Sequence, residues 1–408
     1  MVTKIKFLLD TKTKTFFWRL TPLLMGALLF FGGLGYERNL VIALGGVVSV
    51  LLLAFAGLKK EKILLPKGFL AYNVFLIFFA LSLTWSLDWQ KSFVYLTGYA
   101  TGSLLWLSFF NLKRKTEAYL GKIILILGIL FGSFALAYEL WEFTLLGRMG
   151  LTLVFPATFN HHHISDFWVV VLVFVIFKVL VKKKYIYSLF FIPGVYFLII
   201  SLSRAAYVSL AVGASLIFYY QGWLEKYKKY ALPFFLFVVA LFLFAGTQKT
   251  TLFSRIYFLQ ALVGIIKYPL GVGVGNFGSI SAEFQSGSLV GFSFLTHNIV
   301  LEVLVGMGIF GLTFVFWLYQ VLKSLIEELG SKAVLPASAF LALLTNFLLD
   351  STYFIPTMFW LLFIFLGLAQ KERERNEKGM VFVYITAFFL AIASFLISSG
   401  IIKPNLLV

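Results

Sequence analysis

The sequence predicts an all-α polytopic membrane protein of about 12–13 transmembrane helices with one large outer loop. Three observations predict it. Hydrophobic residues make up 61% of the 408 and charged residues only 12%, at a mean hydropathy of +0.96, so no soluble surface can be assembled from this chain. Apolar runs long enough to cross a bilayer recur from end to end. The basic residues between them fall almost entirely into alternate loops.

A spanning helix needs ~20 mostly apolar residues. Thirteen stretches qualify or nearly so: Phe16–Gly35, Leu40–Leu58, Gly68–Leu87, Ser92–Phe110, Tyr119–Trp141, Ile164–Val181, Tyr185–Ser201, Ala205–Gln221, Ala231–Gly246, Asn298–Leu322, Val334–Leu349, Tyr353–Ala369 and Met380–Ser399. The seventh and eighth are short and nearly contiguous, a hairpin or one broken pair. The first follows a Lys-rich start but lacks a small-residue cleavage site, so it reads as a retained helix. No internal repeat or low-complexity linker divides the chain. Residues 1–408 therefore read as a single transmembrane domain, interrupted by the loop 247–296. Within that loop, Phe253–Pro269 is too broken to span and too apolar for water, which predicts an interfacial helix.

Of the 34 Lys and Arg, 26 sit in one set of alternate loops and 8 in the other. By the positive-inside rule the amino terminus is cytoplasmic. Acids divide evenly, with Glu37, Asp88, Glu139, Glu142, Asp166, Glu283, Glu302 and Asp350 on or near the outer face. The formal net charge of +17 is thus a topology signal with attraction to anionic membrane lipids, and it does not predict nucleic-acid binding. Cysteine is absent, which excludes disulfides, thiolate metal sites and Cys nucleophiles.

Three outer-face features can carry chemistry. Ser203 and Arg204 open the eighth segment. A guanidinium fork suits phosphate oxygens better than the Lys used elsewhere, although a snorkelling interfacial Arg would look the same. Ser254 and Arg255 precede a glycine-rich turn at Gly271, Gly273, Gly275 and Asn276. No soluble βαβ unit surrounds this turn, so it is no dinucleotide fingerprint. Its glycines either let backbone N–H groups approach a ligand or let the loop re-enter tightly. Finally, His297, Asn298 and Glu302 open the tenth segment, with Gly306, Gly308 and Gly311 following. A neutral His at a helix amino terminus can accept a proton; the plain alternative is a hydrogen-bonded interfacial His.

The run His161-His162-His163 does not predict a metal site, because neighbours on a helix diverge by ~100°. Glu139 and Glu142, at i and i+3, can orient polar substrate groups or pair with Arg148. No hydrolase elbow, Walker A or kinase signature occurs.

In this order, the Ser-Arg pair at 203–204, Arg255, the turn Pro269–Phe277 and the stretch His297–Gly311 resemble the O-antigen ligase and polymerase family of bacterial envelope glycosyltransferases. The resemblance covers residues 203–311 and extends elsewhere only as topology; thirteen segments depart from the family's usual twelve or so. It implies a C-type glycosyltransferase-like architecture in the inner membrane, with a periplasmic loop carrying part of the active site. It also implies an undecaprenyl diphosphate-linked glycan as donor and, for ligases, the lipid A core of lipopolysaccharide as acceptor. Polymerases extend the glycan instead, and a third branch glycosylates protein hydroxyls.

Carried over by residue, the family's essential arginines fall on Arg204 and Arg255 and its histidine on His297. Ser203, Gly273, Gly275, Asn276, Asn298, Glu302, Arg148, Glu139 and Glu142 then become candidate substrate-binding residues. The implied reaction is metal-independent, inverting, and free of cofactor and nucleotide. A transporter without covalent chemistry is the alternative from another class. Against it, polar residues are scarce in mid-segment and the motifs gather on one face.

Overall fold

The computed structural model describes residues 11–34, 38–59, 63–112, 114–146, 163–223, 256–284, 293–330, 333–371 and 380–403. They form an all-α polytopic membrane protein, with no strand among the described residues. Among the described residues, six helical stretches are long and apolar enough to cross a bilayer, and six shorter apolar helices accompany them.

In chain order the helices are α1 (Thr11–Leu34), α2 (Arg38–Lys59), α3 (Phe69–Ser82), α4 (Trp89–Leu112), α5 (Arg114–Leu146), α6 (His163–Ile176), α7 (Phe191–Ser201) and α8 (Arg204–Tyr220). They continue as α9 (Ile256–Lys267), α10 (Phe277–Ser281), α11 (Ile299–Met307), α12 (Leu312–Glu328), α13 (Val334–Leu349), α14 (Pro356–Ala369) and α15 (Met380–Ser398). The ninth segment expected from sequence, Ala231–Gly246, lies outside the described residues. Each of the other twelve coincides with a helix or a broken helix.

Lipid tails are as apolar as the side chains, so packing, not hydrophobicity, holds such helices together. The helix α14 is buried along its whole length and packs on α4 and α13. Small residues let the backbones close up: Gly102 on α4 receives the Phe363 ring, and Gly367 lies against the Trp106 backbone. Buried indoles need a polar partner, and Trp106 donates through Nε1 to Gln370 Oε1 at 2.9 Å.

Two breaks shape the end of the bundle that carries His297. The seventh and eighth segments form two separate helices. A 3-10 turn over Tyr185–Phe190 leads into α7, and Leu202, in left-handed backbone at φ 49°, lies between α7 and α8. The tenth segment, a single run in the sequence, is also broken. At Gly308, with φ 57°, a 3-10 turn Gly308–Gly311 separates α11 from α12. A side chain at 308 would strike the carbonyl of Pro269, so the break is where the glycine-rich turn meets the bundle. The expected interfacial stretch contains α9, which buries Gln260 and Ala261 and exposes Leu259, Val263 and Ile266.

Candidate active site

The helix α8 begins under a polar cap. Ser203 is its N-cap, with Oγ accepting from the Ala206 N–H at 3.2 Å, and half-buried Arg204 is the first helical residue. A cation at a helix amino terminus opposes the dipole. An anion bound there would meet the guanidinium at the positive end of the helix dipole.

The helix α11 is capped by Asn298, whose Oδ1 accepts from the Val300 and Leu301 N–H groups at 2.9 and 3.0 Å. His297, one residue earlier, takes φ 56°. A bulky residue holds left-handed backbone only when its surroundings over-determine it, and here they do. The Thr296 N–H donates to Glu302 Oε2 at 3.0 Å, and the Tyr353 hydroxyl reaches the same oxygen at 3.2 Å. Asn298 Nδ2 donates to the Leu348 carbonyl at 2.8 Å. The first anchor ties the His297 loop to α11, and the other two tie that loop and α11 to Tyr353 and Leu348, in the turn after α13 and at its end.

That turn supplies the partner of the histidine. His297 Nδ1 lies 3.2 Å from Asp350 Oδ1, and its ring stacks on Tyr257 of α9 at 5.4 Å between centroids and 17° between planes. Burial disfavours ionising Asp350, but it is outweighed by the His297 hydrogen bond, the neighbouring His163 and the Ser351 N–H, which hold the carboxyl below the usual carboxylate range. Burial pushes the Tyr257 hydroxyl up. With Nδ1 turned to a carboxylate, the imidazole keeps Nε2 for a substrate proton.

A second acid stands beside this pair. Asp166, in the first turn of α6, accepts through Oδ1 from Ser203 Oγ at 3.3 Å and Asn346 Nδ2 at 2.8 Å. Its Oδ2 faces His163 Nδ1 at 3.5 Å. Polar atoms of His163, Asp166 and Asp350 lie within 4.8 Å of one another. The three form a compact polar cluster between the start of α8 and His297, bound to Ser203 and Asn346 through Asp166 and to His297 through Asp350.

The glycine turn is built into the scaffold. The Val272 and Gly273 N–H groups donate to the Val305 and Gly306 carbonyls at 3.1 and 2.8 Å, and the Ile309 N–H donates to Pro269 at 2.9 Å. Gly273 and Gly275 take φ 90° and 88°, and Cβ atoms there would collide with Ser86 and Tyr95. Asn276 is fully buried, its Nδ2 within hydrogen-bond distance of Ser86, Ser92 and the Val272 carbonyl. Buried Glu139 accepts from the Tyr196 hydroxyl at 2.6 Å, bridging α5 and α7. Glu142 lies in the following turn of α5. Arg148, Arg255, His161 and His162 lie outside the described residues.

Of the candidates from sequence, the fold brings together His297, Asn298 and Glu302, and links Ser203 to them through Asp166. The motifs did not reveal Asp350, Asp166, Asn346, His163 or Tyr257. The one available signal was an acid at the end of an apolar segment, which Asp166 and Asp350 both show.

No curated protein matches the chain. A family model described as O-antigen ligase matches residues 189–316, which include the Arg204 helix start, the glycine turn and His297 and exclude Asp166 and Asp350. Over that stretch, the chain is similar to the O-antigen ligase family.

Proposed function

We propose that this protein is a glycosyltransferase that moves a glycan from an undecaprenyl diphosphate carrier to the lipid A core at the periplasmic face of the bacterial inner membrane. The family match supports O-antigen ligase- or polymerase-type glycan transfer in general. The observation that carries the reading further is the His297–Asp350 pair within the same cluster as the cap of Arg204. A base and a phosphate-binding cation are what such a transfer requires.

The proposed reaction is a single inverting displacement. His297, oriented by Asp350, takes the proton of the acceptor hydroxyl as its oxygen attacks the anomeric carbon. The bond to the diphosphate breaks, and Arg204 and Arg255 stabilise the charge that develops on the leaving group. The donor's diphosphate linkage supplies the driving force, so neither nucleotide nor metal is called for. An open apolar groove can take part of a lipid chain. It runs between Val94, Tyr99, Phe359 and Trp360 and ends at Tyr353 and Phe354, next to the Asp350 turn. The remaining outer candidates, Gly273, Gly275, Asn276, Asn298, Glu302, Arg148, Glu139 and Glu142, shape the cavity or contact the sugars. In this reading the amino terminus is cytoplasmic, and α9 lies along the outer interface.

Purified protein in detergent or vesicles, given one lipid-linked glycan and a mixture of lipid A core, free repeat unit and acceptor protein, should conjugate the glycan to the lipid A core. Conjugation to repeat unit or protein instead would replace the acceptor and keep the chemistry. Flux of the lipid-linked glycan across vesicles with no conjugate formed would overturn the enzymatic reading.

A further inference from the structure

Asp166 is 1% exposed in a helix of otherwise apolar character, a costly placement that needs specific partners. Its partners lead in two directions. Through Ser203 it reaches the cap that sets the start of α8, where Arg204 follows. Through Asn346 it reaches the turn that carries the partner of His297. Asn346 accepts at its side-chain oxygen from Thr352 Oγ1, and its backbone carbonyl accepts from the Asp350 N–H at 2.7 Å. One carboxyl group therefore stands between the helix start that aims the arginine and the turn that aims the base. It touches neither Ala206 nor His297, and it lies outside the family-matched stretch.

We propose that Asp166 is a positioning residue that fixes the separation between Arg204 and the His297–Asp350 pair. The kinetic consequence rests on the glycosyl-transfer reading; the structural coupling does not. An asparagine cannot replace it. Ser203 and Asn346 both donate to Oδ1, and Oδ2 faces His163 Nδ1. Asp166→Asn can keep its one oxygen toward the two donors only by turning an NH₂ on His163, and it loses the charge that strengthens both bonds. Because displacement of a reacting group by ~1 Å costs ~10²-fold in rate, kcat should fall by at least ~10-fold while the KM for the lipid-linked donor stays within ~3-fold. Asn346→Ala cuts the same link from the other end and should give the same split. If both act through one bond, the double variant should lose no more than either single variant.

The second readout is independent of turnover. The chain has four histidines, so ring-¹⁵N histidine NMR of the detergent-solubilised protein is assignable by substitution. The His297 signals should move in Asp166→Asn and in Asn346→Ala, although neither residue touches that ring. Wild-type kcat per folded molecule in both single variants would overturn the proposal, as would rate losses that multiply in the double variant or unchanged His297 signals. Should Asp166→Asn fail to accumulate, Asn346→Ala decides alone. If the wild-type protein transfers no glycan, the glycosyl-transfer reading falls and the NMR comparison still decides the coupling.

Discussion

His297 Nδ1 and Asp350 Oδ1 stand 3.2 Å apart although 53 positions separate the residues. The carboxylate selects the tautomer in which Nδ1 carries the proton and Nε2 is free. Asp350→Asn preserves size but can present its NH₂ to Nδ1, which selects the opposite tautomer. Transfer should fall by about 10²–10⁴-fold in kcat, with donor binding retained. Single-turnover assays beside equilibrium binding of the lipid-linked donor separate the two effects.

The same pair gives a pH signature. The Asp350 carboxyl titrates lower when folded than when unfolded, so its contribution to stability is complete above the unfolded value of about 4. It is lost as pH falls through the folded value. Wild-type protein should therefore melt above Asp350→Asn at neutral pH, and the gap should narrow below pH ~4. Scanning fluorimetry of both proteins across pH 3–7 provides the comparison.

Backbone conformation dictates which substitution tests His297 fairly. At φ 56°, alanine is strained whereas asparagine tolerates left-handed backbone. His297→Asn should accumulate and melt above His297→Ala while losing transfer by at least ~10²-fold. His297→Ala should lose thermal stability as well, and running the two variants side by side separates chemistry from folding.

Tyr257 covers the face of His297 with a near-parallel ring. If the ring alone matters, Tyr257→Phe should keep transfer within ~3-fold, and Tyr257→Ala should lower it by ~10-fold through a less fixed imidazole. Steady-state rates at saturating donor report the difference. A large loss in Tyr257→Phe would transfer the role from the ring to the hydroxyl.

Most of the architecture could be read from the sequence because a bilayer imposes a length and a charge rule on every helix. The boundaries at Val334–Leu349 and Met380–Ser398 agree with the expected segments to within a residue. The break at Gly308 was not legible. Its cause is a backbone contact with Pro269, which lies in another segment and leaves no periodic trace. His297 and Ser203 were found because they sit in short ordered motifs. Asp166 and Asp350 had been sorted to the outer face by charge, but nothing in one dimension says that residues 166, 203, 297, 346 and 350 meet. Asn346 is the extreme case: an amide inside an apolar run, visible only once Asp166 stands opposite it.

The pairing of residues 269–273 with 305–309 decides what can move. Swinging the glycine turn outward as a separate lid would strand its carbonyls and N–H groups in a dry layer, at about 1–3 kcal/mol for each group left unmade. The turn and α11 are in effect one plate, with His297 at its rim. In the proposed transfer, any widening that admits a bulky glycan pivots this plate as a whole, so the histidine travels with the doorway and is not left waiting behind it.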